Sequence, residues 1–229
     1  MSAMGTKMKT QRTTRDGEGF TWVELLVVIC LVAVVAVLLL PALAASKRKS
    51  SRTGCVSNLK ELALGFKMWA GDNGDKFPMQ VSVTNGGAME LAFAGNVAGI
   101  FRAMSNELAT PKVLVCPQDT SRHYATNFTT DFNNQKISYF VGLDADDKSL
   151  QMILTGDDNL AVNGVRVRPG ILNLWTHTSV GWTKERHGSA GNIALVDGSV
   201  QQTDVSMLQS ALVNIGFATN LATNRLVIP

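Results

Sequence analysis

The sequence predicts an α+β protein in which one long N-terminal helix precedes a head that contains short strands. Three observations lead to this prediction: an uncharged apolar run after a polar start, an amphipathic helical stripe directly behind it, and strand-like segments with a turn signal near the C-terminus. About 180 residues follow the apolar run, which is enough for one globular domain with its own core.

In the apolar run, Glu24 is the only charged residue between Phe20 and Ala45. The 21 residues from Leu25 to Ala45 span about 31 Å as a helix, at about 1.5 Å per residue, and this length matches one bilayer core. A carboxylate within such a segment costs free energy on insertion, and residues of this kind are usually functional. Glu24 is therefore a candidate functional residue.

Helical periodicity continues behind the apolar run. Apolar side chains recur at spacings of 4, 3, 4 and 3 and form one helical stripe: Cys55, Leu59, Leu62, Phe66 and Trp69. The sequence "GDNGD" at residues 71–75 then ends the helix, because glycine and asparagine tolerate the left-handed conformation at a helix C-terminus. We therefore expect one helix from Phe20 to about Ala70, with its first half in lipid and its second half amphipathic.

The middle of the chain has weaker patterns. The segment "GIFRAMSNELA" at residues 99–109 predicts a short helix, and "KVLVCP" at residues 112–117 predicts a strand that ends at a proline. Alternation in "KISYFVGLD" (136–144) and "LQMILTGDDN" (150–159) predicts two strands joined through "ADDKS".

The clearest turn signal lies near the C-terminus. In "GNIALVDGSVQQTD" two strand-like arms flank Asp197 and Gly198, and an Asp-Gly pair in this position predicts a two-residue hairpin turn in which both residues take positive φ. The segment "VSMLQSALVN" then predicts a short helix and "RLVIP" a closing strand or tail. His187 precedes Asp197 by ten positions, and we expect it to cap or hydrogen-bond this hairpin.

Four residues of the N-terminal segment form a pattern: Gly19, Phe20 directly after it, Glu24 as the fifth residue counted from Phe20, and Pro41 as the twenty-second. This pattern resembles the type III signal of type IV prepilins and type II secretion pseudopilins. The resemblance implies that a prepilin peptidase cuts after Gly19 on the cytoplasmic side and that the new N-terminal Phe20 is methylated. It further implies that Glu24 faces the free amine of the neighbouring subunit as a filament grows, and such a pair offsets the cost of burying either charge alone.

Two further segments carry narrower resemblances. "CVSNLKELALGFKMWAGDNGDKFP" is similar to the start of major-pseudopilin-like proteins, in which the long helix ends in an acidic Asn-Gly turn followed by an aromatic residue and a proline, here Phe77 and Pro78. "HGSAGNIALVDG", with His187, nine residues and then Asp197 and Gly198, resembles the motif of a prepilin-processing-associated domain found in prepilin-like families of some environmental bacteria. Together they imply a pilin-like fold, with the long helix packed on a small antiparallel sheet.

The resemblance also implies a domain organisation and a location. Residues 1–19 form the leader peptide, residues 20–45 the transmembrane and polymerisation helix, and residues 46–229 a periplasmic domain that includes the amphipathic half of the helix. The protein is then a single-pass inner-membrane protein with a cytoplasmic N-terminus, and it is extracted into a filament on assembly. Its expected partners are copies of itself, other pseudopilins, the prepilin peptidase and the inner-membrane assembly platform.

Charge patterning does not orient the helix by itself. Basic residues flank the apolar run on both sides, so the positive-inside rule favours neither orientation: Lys7, Lys9, Arg12 and Arg15 precede it, and Lys47, Arg48, Lys49 and Arg52 follow it. These two clusters carry eight positive charges, more than the net charge of +3. Neither has the interleaved aromatic residues of a nucleic-acid-binding surface, and we expect no nucleic-acid partner.

The sequence favours a structural protein over an enzyme. It has three histidines, at positions 123, 177 and 187, and no H-E-x-x-H, G-x-S-x-G or glycine-rich phosphate-binding motif. We therefore expect no catalytic residue, no metal ligand and no cofactor. Calcium is the alternative, because major pseudopilins bind it in a C-terminal loop. The acidic residues here lack EF-hand spacing, which favours the interpretation that they lie in solvated turns: Asp72, Asp75, Asp144, Asp146, Asp147, Asp157 and Asp158.

Of the three cysteines, Cys30 lies within the membrane run, where it acts as a small apolar residue. Cys55 and Cys116 would both lie outside the cytoplasm, where disulfides persist. The sequence does not supply the distance between them, so it does not decide whether a disulfide joins the helix to the head.

Two alternatives to a filament subunit stay open as well. The first is a secreted protein, including an enzyme with His187 in its site: "KMKTQRTTR", the apolar run and "PALAAS" supply the parts of a signal peptide, which would leave Ala45 or Ser46 as the mature N-terminus. Against it, the run is longer than the usual 7 to 15 residues and contains a glutamate. The second is a periplasmic binding protein anchored by the uncut helix.

Overall fold

The structure is a computed structural model, and it describes residues 19–175, 177–219 and 223–229. Of the predicted leader, only Gly19 falls within this part of the chain; residues 1–18 lie outside it. The chain divides into two compact units, Met1–Ser46 and Lys47–Pro229, and the second unit is the head.

Helix α1 runs from Trp22 to Asp72 and comprises 51 residues, with Pro41 inside it. Within the first unit, the segment Trp22–Pro41 is long enough and apolar enough to cross a membrane. Its large apolar side chains, from Trp22 to Leu40, are 44% to 77% exposed. The prediction of an apolar N-terminal helix that can span a bilayer is therefore confirmed.

In the second unit, α1 contributes one buried stripe to the core. Cys55, Leu59, Leu62 and Phe66 are fully buried and Trp69 is nearly so, as their spacing predicts. The helix ends in the predicted turn, in which Gly74 and Asp75 take positive φ (67° and 57°) and the Asp75 N–H donates to the carbonyl of Ala70.

The strands of the head are β1 Tyr139–Gly142, β2 Ile153–Asp157, β3 Leu160–Val162, β4 Val165–Arg166, β5 Gly170–Trp175, β6 Val180–Trp182, β7 Gly191–Leu195, β8 Val200–Thr203 and β9 Thr223–Ile228. They form an antiparallel sheet of six strands in the order β5-β9-β1-β2-β7-β8 and a smaller sheet in the order β4-β3-β6. The predicted antiparallel sheet is therefore confirmed.

Three further helices belong to the head: α2 Met89–Phe93, α3 Val97–Ala103 and α4 Val205–Thr219. α3 lies where a short helix was predicted but begins two residues earlier, and Asn96 caps it by accepting a hydrogen bond from the Gly99 N–H at 2.9 Å. α4 is longer than predicted and packs against β6, β8 and β9. The predicted closing strand corresponds to β9.

The prediction of a strand over residues 112–117 is wrong. Residues Pro111–Leu114 form a short 3-10 helix instead, capped by Thr110, whose hydroxyl accepts a hydrogen bond from the Lys112 N–H at 3.3 Å. Pro111 stands in the first turn of this helix, where its fixed φ is suitable and its missing N–H is not needed. The capping threonine and the proline therefore favour a helical turn here more strongly than the apolar run behind them favours a strand.

The C-terminal hairpin forms between β7 and β8, but its loop differs from the prediction. Of the two turn residues, only Gly198 takes positive φ (85°). The Gly198 N–H donates to the Leu195 carbonyl, and the Leu195 N–H donates to the Ser199 carbonyl. The loop therefore contains three residues, 196–198, and ends with a left-handed glycine, which is the next most common hairpin loop after the two-residue form.

Three strands at the centre of the large sheet are buried along their whole length: β1, β2 and β7. Strands covered on both faces consist mainly of apolar residues. β2 and β7 nevertheless carry Asp157 and Asn192, both fully buried, at the end of the sheet nearest to His187. Buried polar groups in such a position need partners.

Candidate functional site

The head encloses a buried polar cluster, built from three segments that are distant in sequence: residues 116–122, residues 157–159 and residues 186–192. Its charged members are 8% exposed or less, apart from the half-buried Arg122. Isolated charges in such surroundings cost several kcal/mol each, so the cluster depends on internal pairing.

A disulfide bond borders the cluster. Cys55 of α1 and Cys116 are bonded, with their Cα atoms 5.0 Å apart, and both residues are fully buried. The bridge that the sequence left open is therefore formed in the structure, and it ties α1 to the segment behind the 3-10 helix. Cys30, in the apolar segment, is a free thiol.

His187 lies directly against this disulfide. Its Nε2 atom is 3.4 Å from Sγ of Cys116, 3.3 Å from Oδ2 of Asp157 and 3.4 Å from Nδ2 of Asn192. The imidazole has no exposed surface. Its Nδ1 atom has no hydrogen-bond partner among the residues that the structure describes.

A strained turn holds His187 in this position. His187, Gly188 and Ser189 all take positive φ (55°, 66° and 64°), which is uncommon for the two residues that are not glycine. The His187 N–H donates to Oε1 of Gln118 at 3.1 Å. Backbone in sparsely populated conformations persists only where the surrounding structure holds it, and it is concentrated at functional sites.

Asp157 links the ends of β2 and β7. Its Oδ2 atom accepts hydrogen bonds from the backbone N–H of Asn192 at 2.8 Å and from the Asn192 side-chain amide at 2.7 Å. Tyr139, opposite Asp157 in the β1–β2 ladder, is fully buried. Burial, together with the nearby charge of Asp157, raises the pKa of the Tyr139 hydroxyl well above its usual value.

Two arginines and two aspartates form an ion-pair network beside His187. Arg122 Nη1 is 3.0 Å from Asp119 Oδ2 and 2.7 Å from Asp158 Oδ2. Arg186 also contacts both carboxylates, and its Nη1 atom lies 3.4 Å from Asp119 Oδ2. Each charge in this network therefore has at least two partners of opposite sign, which is the condition under which buried ions are tolerated.

The network shifts the pKa values of its members. Burial lowers the pKa of the Arg186 guanidinium, and the charges of Asp157 and Asp119 act against this shift. Burial alone would raise the pKa of the Asp119 carboxyl, but hydrogen bonds from Ser121 and Ser138 and the charges of the two arginines outweigh it. The pKa of Asp119 therefore lies well below its usual value, and the carboxylate stays ionised.

The structure separates the parts of the predicted His187 motif. His187 does hydrogen-bond the hairpin, through Asn192, but at the end of β7 opposite to the turn. Asp197 and Gly198 form the turn at the other end, where Oδ1 of Asp197 accepts a hydrogen bond from the Ser199 N–H at 2.8 Å. β7 thus connects a buried histidine to an exposed turn, and the two ends of the motif have different surroundings.

The predicted N-terminal site residues lie at the start of α1. Gly19 and Phe20 precede the first helical residue, Trp22, and both are exposed. The Glu24 carboxylate accepts hydrogen bonds from the backbone N–H and the hydroxyl of Thr21, at 2.8 and 2.7 Å. A carboxylate in the first helical turn is favoured by the helix dipole, so Glu24 also stabilises the helix start.

Of the seven acidic residues considered for calcium, Asp72 and Asp75 are exposed at the end of α1, and the other five pair with protein groups. Asp144 binds Arg225 and also accepts its backbone N–H at 2.8 Å, and Asp147 pairs with Lys67. Asp157 and Asp158, interpreted from the sequence as part of an acidic turn, belong to the buried cluster. Within the described part of the chain, the one group of three metal-ligating side chains is Cys55, Cys116 and His187, with ligand atoms within 4.8 Å of one another.

Sequence reasoning missed Asp119, Arg122 and Arg186 as site residues. A usable signal was present in "LQMILTGDDN", because a strand this apolar leaves its two aspartates beside the core, and buried carboxylates need cations. Arg186, directly before the motif histidine, was one such cation. The local sequence does not show which segments, distant along the chain, come together in the fold.

Comparisons with protein-family models, with curated proteins and with solved structures gave no match to this chain. The geometry alone must therefore indicate what the cluster does. His187 has no exposed surface, and both sulfurs are fully buried. The arrangement fits a structural centre that holds α1, the sheet and the segment at residues 116–122 together.

Proposed function

We propose that this protein is a structural subunit of a type II secretion pseudopilus or a type IV pilus-like filament. It is made as a prepilin, cut by the prepilin peptidase between Gly19 and Phe20, and methylated on Phe20. The observation that carries the proposal is the position of the signal: Gly19 and Phe20 lie exposed just before α1, and Glu24 lies in its first turn. A peptidase can reach this bond without unwinding the helix.

The exposed apolar segment supports the proposal. Its large side chains are at least 44% exposed from Trp22 to Leu40, so it needs lipid or other apolar helices around it. A bilayer supplies this environment before assembly, and the helices of neighbouring subunits supply it in a filament. Pro41, near the end of the segment, belongs to the same polymerising surface.

The head supports a non-enzymatic role. Its core includes the stripe of α1 from Cys55 to Trp69, and the disulfide and the ion-pair network hold that stripe to the rest of the head. Such a head withstands extraction from a membrane and packing in a filament. In the proposal it is periplasmic, the N-terminus is cytoplasmic, and the partners are copies of the chain, other pseudopilins, the prepilin peptidase and the inner-membrane assembly platform.

The mature N-terminus tests the proposal. When the full chain is expressed with a prepilin peptidase, mass spectrometry of the membrane fraction should find a chain that begins with N-methylated Phe20. A chain that begins at Ala45 or Ser46 would support the secreted alternatives, and an uncut chain in cells with active peptidase would support the anchored binding protein.

A pair of glycine variants controls for the position of the cut. Gly19→Val should leave the full-length chain in the membrane, because the family's peptidase requires a small residue before the cut. Gly17→Val makes the same change two residues earlier and should still be processed. A Phe20 start in the Gly19→Val variant would show that the cut does not depend on Gly19, and the assignment to a prepilin peptidase would then be wrong.

A further inference from the structure

We propose that the head has a metal-binding state that excludes the disulfide: when Cys55–Cys116 is reduced, the two thiolates and Nε2 of His187 bind one thiophilic divalent cation, for which Zn²⁺ is the natural candidate. This inference does not depend on whether the chain forms filaments. It rests on three buried side chains that come from separate segments and converge at one point.

The distances suit zinc. Zinc is bound by thiolates at about 2.3 Å and by imidazole nitrogens at about 2.0 to 2.1 Å, so tetrahedral nitrogen and sulfur ligands lie about 3.5 Å apart. Nε2 of His187 is already 3.4 Å from Sγ of Cys116, and the three ligand atoms lie within 4.8 Å of one another. The two sulfurs must separate from a covalent bond to about 3.8 Å, the distance between two thiolates on one zinc. Sγ of Cys55, which lies within 4.8 Å of Nε2, must at the same time lie about 3.5 Å from it.

The imidazole is oriented for this role. Nε2 points at the sulfur, and Nδ1, which has no partner among the described residues, is free to carry the ring proton. The turn with three consecutive positive φ values fixes the ring before any metal arrives. A preoriented ligand loses little conformational entropy on binding, which favours affinity.

Charge balance also favours a divalent cation. Two buried thiolates without a counter-charge are costly, whereas two thiolates, one neutral imidazole and Zn²⁺ sum to zero. The Asp157 carboxylate, 3.3 Å from Nε2, is the charged group in direct contact with the imidazole. Its bonds to Asn192 hold it in place in either state.

The two states interconvert by balanced steps. A dithiol reductant gives two electrons and two protons to the disulfide, so that its S–S bond breaks, two thiols form and the reductant becomes a disulfide. Zn²⁺ then displaces the two thiol protons and forms two Zn–S bonds. In the reverse step a disulfide oxidant takes two electrons from the two thiolates and two protons from water and becomes a dithiol, the Cys55–Cys116 bond forms again and the metal is released. A chain therefore cannot hold the disulfide and the cation together.

Cobalt serves as the spectroscopic probe, with the full chain in detergent micelles and Cys30→Ser in every sample to remove the third thiol. After reduction with a phosphine, which is oxidised to its oxide with one water, titration with Co²⁺ should saturate at one ion per chain. We expect thiolate-to-cobalt charge-transfer absorption and the visible bands of tetrahedral cobalt, both abolished by Zn²⁺. The oxidised chain should show neither signal.

Histidine variants identify the ligand. His187→Ala should weaken cobalt binding on the order of 100-fold, since losing even a supporting residue of a metal site costs 10- to 100-fold. His123→Ala removes an exposed histidine and should bind like the parent chain. Near-ultraviolet circular dichroism of the oxidised variants checks that the head stays folded.

A replacement variant covers the case in which His187→Ala does not fold. His187→Cys offers a third thiolate and should raise the charge-transfer absorption by about half, in proportion to the number of thiolates bound. The proposal is overturned if the reduced chain binds no cobalt, if the oxidised chain binds it equally, if His187→Ala in a folded head binds as tightly as the parent, or if His187→Cys leaves the absorption unchanged.

Discussion

Asp119 is the residue at which burial, charge and stability are most closely connected. Its pKa in the folded head lies well below the unfolded value near 4, because hydrogen bonds from Ser121 and Ser138 and the charges of Arg186 and Arg122 outweigh burial. When the folded pKa is the lower one, the unfolded chain binds more protons as the pH falls. The stabilisation by Asp119 is therefore complete above about pH 4 and is lost as the pH falls through the folded pKa.

The direction of this pH dependence leads to a prediction for Asp119→Asn. The variant should lower the free energy of unfolding at neutral pH by about 3 kcal/mol, because both arginines lose a partner in a buried network. It should also lose less stability than the parent chain below pH 4. Urea unfolding of the head, followed by tryptophan fluorescence at several pH values, measures both effects.

Asp197→Asn provides the matched control. Asp197 is exposed and caps the hairpin turn, so its substitution leaves both arginines of the buried network with their partners. If the Asp119→Asn curve runs parallel to that of the parent chain down to the lowest pH, the lowered pKa does not contribute to stability as argued.

The buried cluster also marks the limit of residue-scale reasoning from sequence. Asp157 and Asp158 were recognisable as acidic residues at a strand end, and they were interpreted as a solvated turn. Their partners Arg122 and Arg186 come from segments far away along the chain. Local patterns report propensity and periodicity, whereas pairing across the fold depends on topology.

At the scale of elements, the β7–β8 hairpin depends on one glycine. Gly198 has φ of 85°, where a Cβ atom is sterically disfavoured, although space around it is open. Gly198→Ala should therefore lower the free energy of unfolding by about 1 to 2 kcal/mol. Urea unfolding detects a change of this size.

Gly71→Ala makes the same chemical change near the end of α1, where nothing lies within 4 Å of the added Cβ and φ is not positive. It should be neutral or stabilise the head by up to about 1 kcal/mol, since alanine is the better helix former. Equal effects of the two variants would mean that the left-handed conformation of Gly198 is not the cause.

The disulfide joins two elements that are separated by 61 positions in the sequence. Closing a loop of this size in the unfolded chain corresponds to about 4 kcal/mol by the chain-entropy relation, and measured effects are often smaller. The double variant Cys55→Ser, Cys116→Ser should lower the melting temperature of the head in detergent. Cys30→Ser, outside the head, should leave it unchanged, and labelling of both head thiols in the oxidised parent would contradict the bridge.

The elements differ in how well the sequence predicts them. The stripe from Cys55 to Trp69 was predictable because its long 4,3 periodicity leaves one interpretation. The strand predicted over residues 112–117 failed because short apolar runs fit strands and helices alike, and the cap at Thr110 decided the outcome. Strands of two or three residues, such as β3, β4 and β6, are too short to show alternation.

At the scale of the whole molecule, the chain consists of a helical segment that exposes apolar side chains and a head that buries its own. This contrast was readable from sequence because each part has its own periodicity and composition. The function of the exposed part was not readable from physics alone. Insertion into lipid and packing against other copies both remove an apolar surface from water, and only an assembly experiment distinguishes the two.

Glu24 is the residue for that experiment. In the proposed filament its carboxylate meets the amine of Phe20 on the next subunit, so its value appears only on assembly. Glu24→Ala removes a charge from an apolar segment, which by itself favours insertion. We therefore expect normal insertion and normal cleavage after Gly19, followed by accumulation of processed monomer without filaments. Negative-stain imaging and crosslinking measure the outcome.

Two further variants separate assembly from helix stability, because Glu24 also accepts hydrogen bonds from Thr21 in the single chain. Thr21→Val removes the hydroxyl that donates to Glu24 but keeps the carboxylate, and it should still form filaments. Glu24→Gln keeps the shape and much of the hydrogen bonding but loses the ion pair, and it should fail like Glu24→Ala. If Glu24→Ala assembles normally, the carboxylate only stabilises the start of α1; if Thr21→Val fails as well, the helix start matters more than the charge.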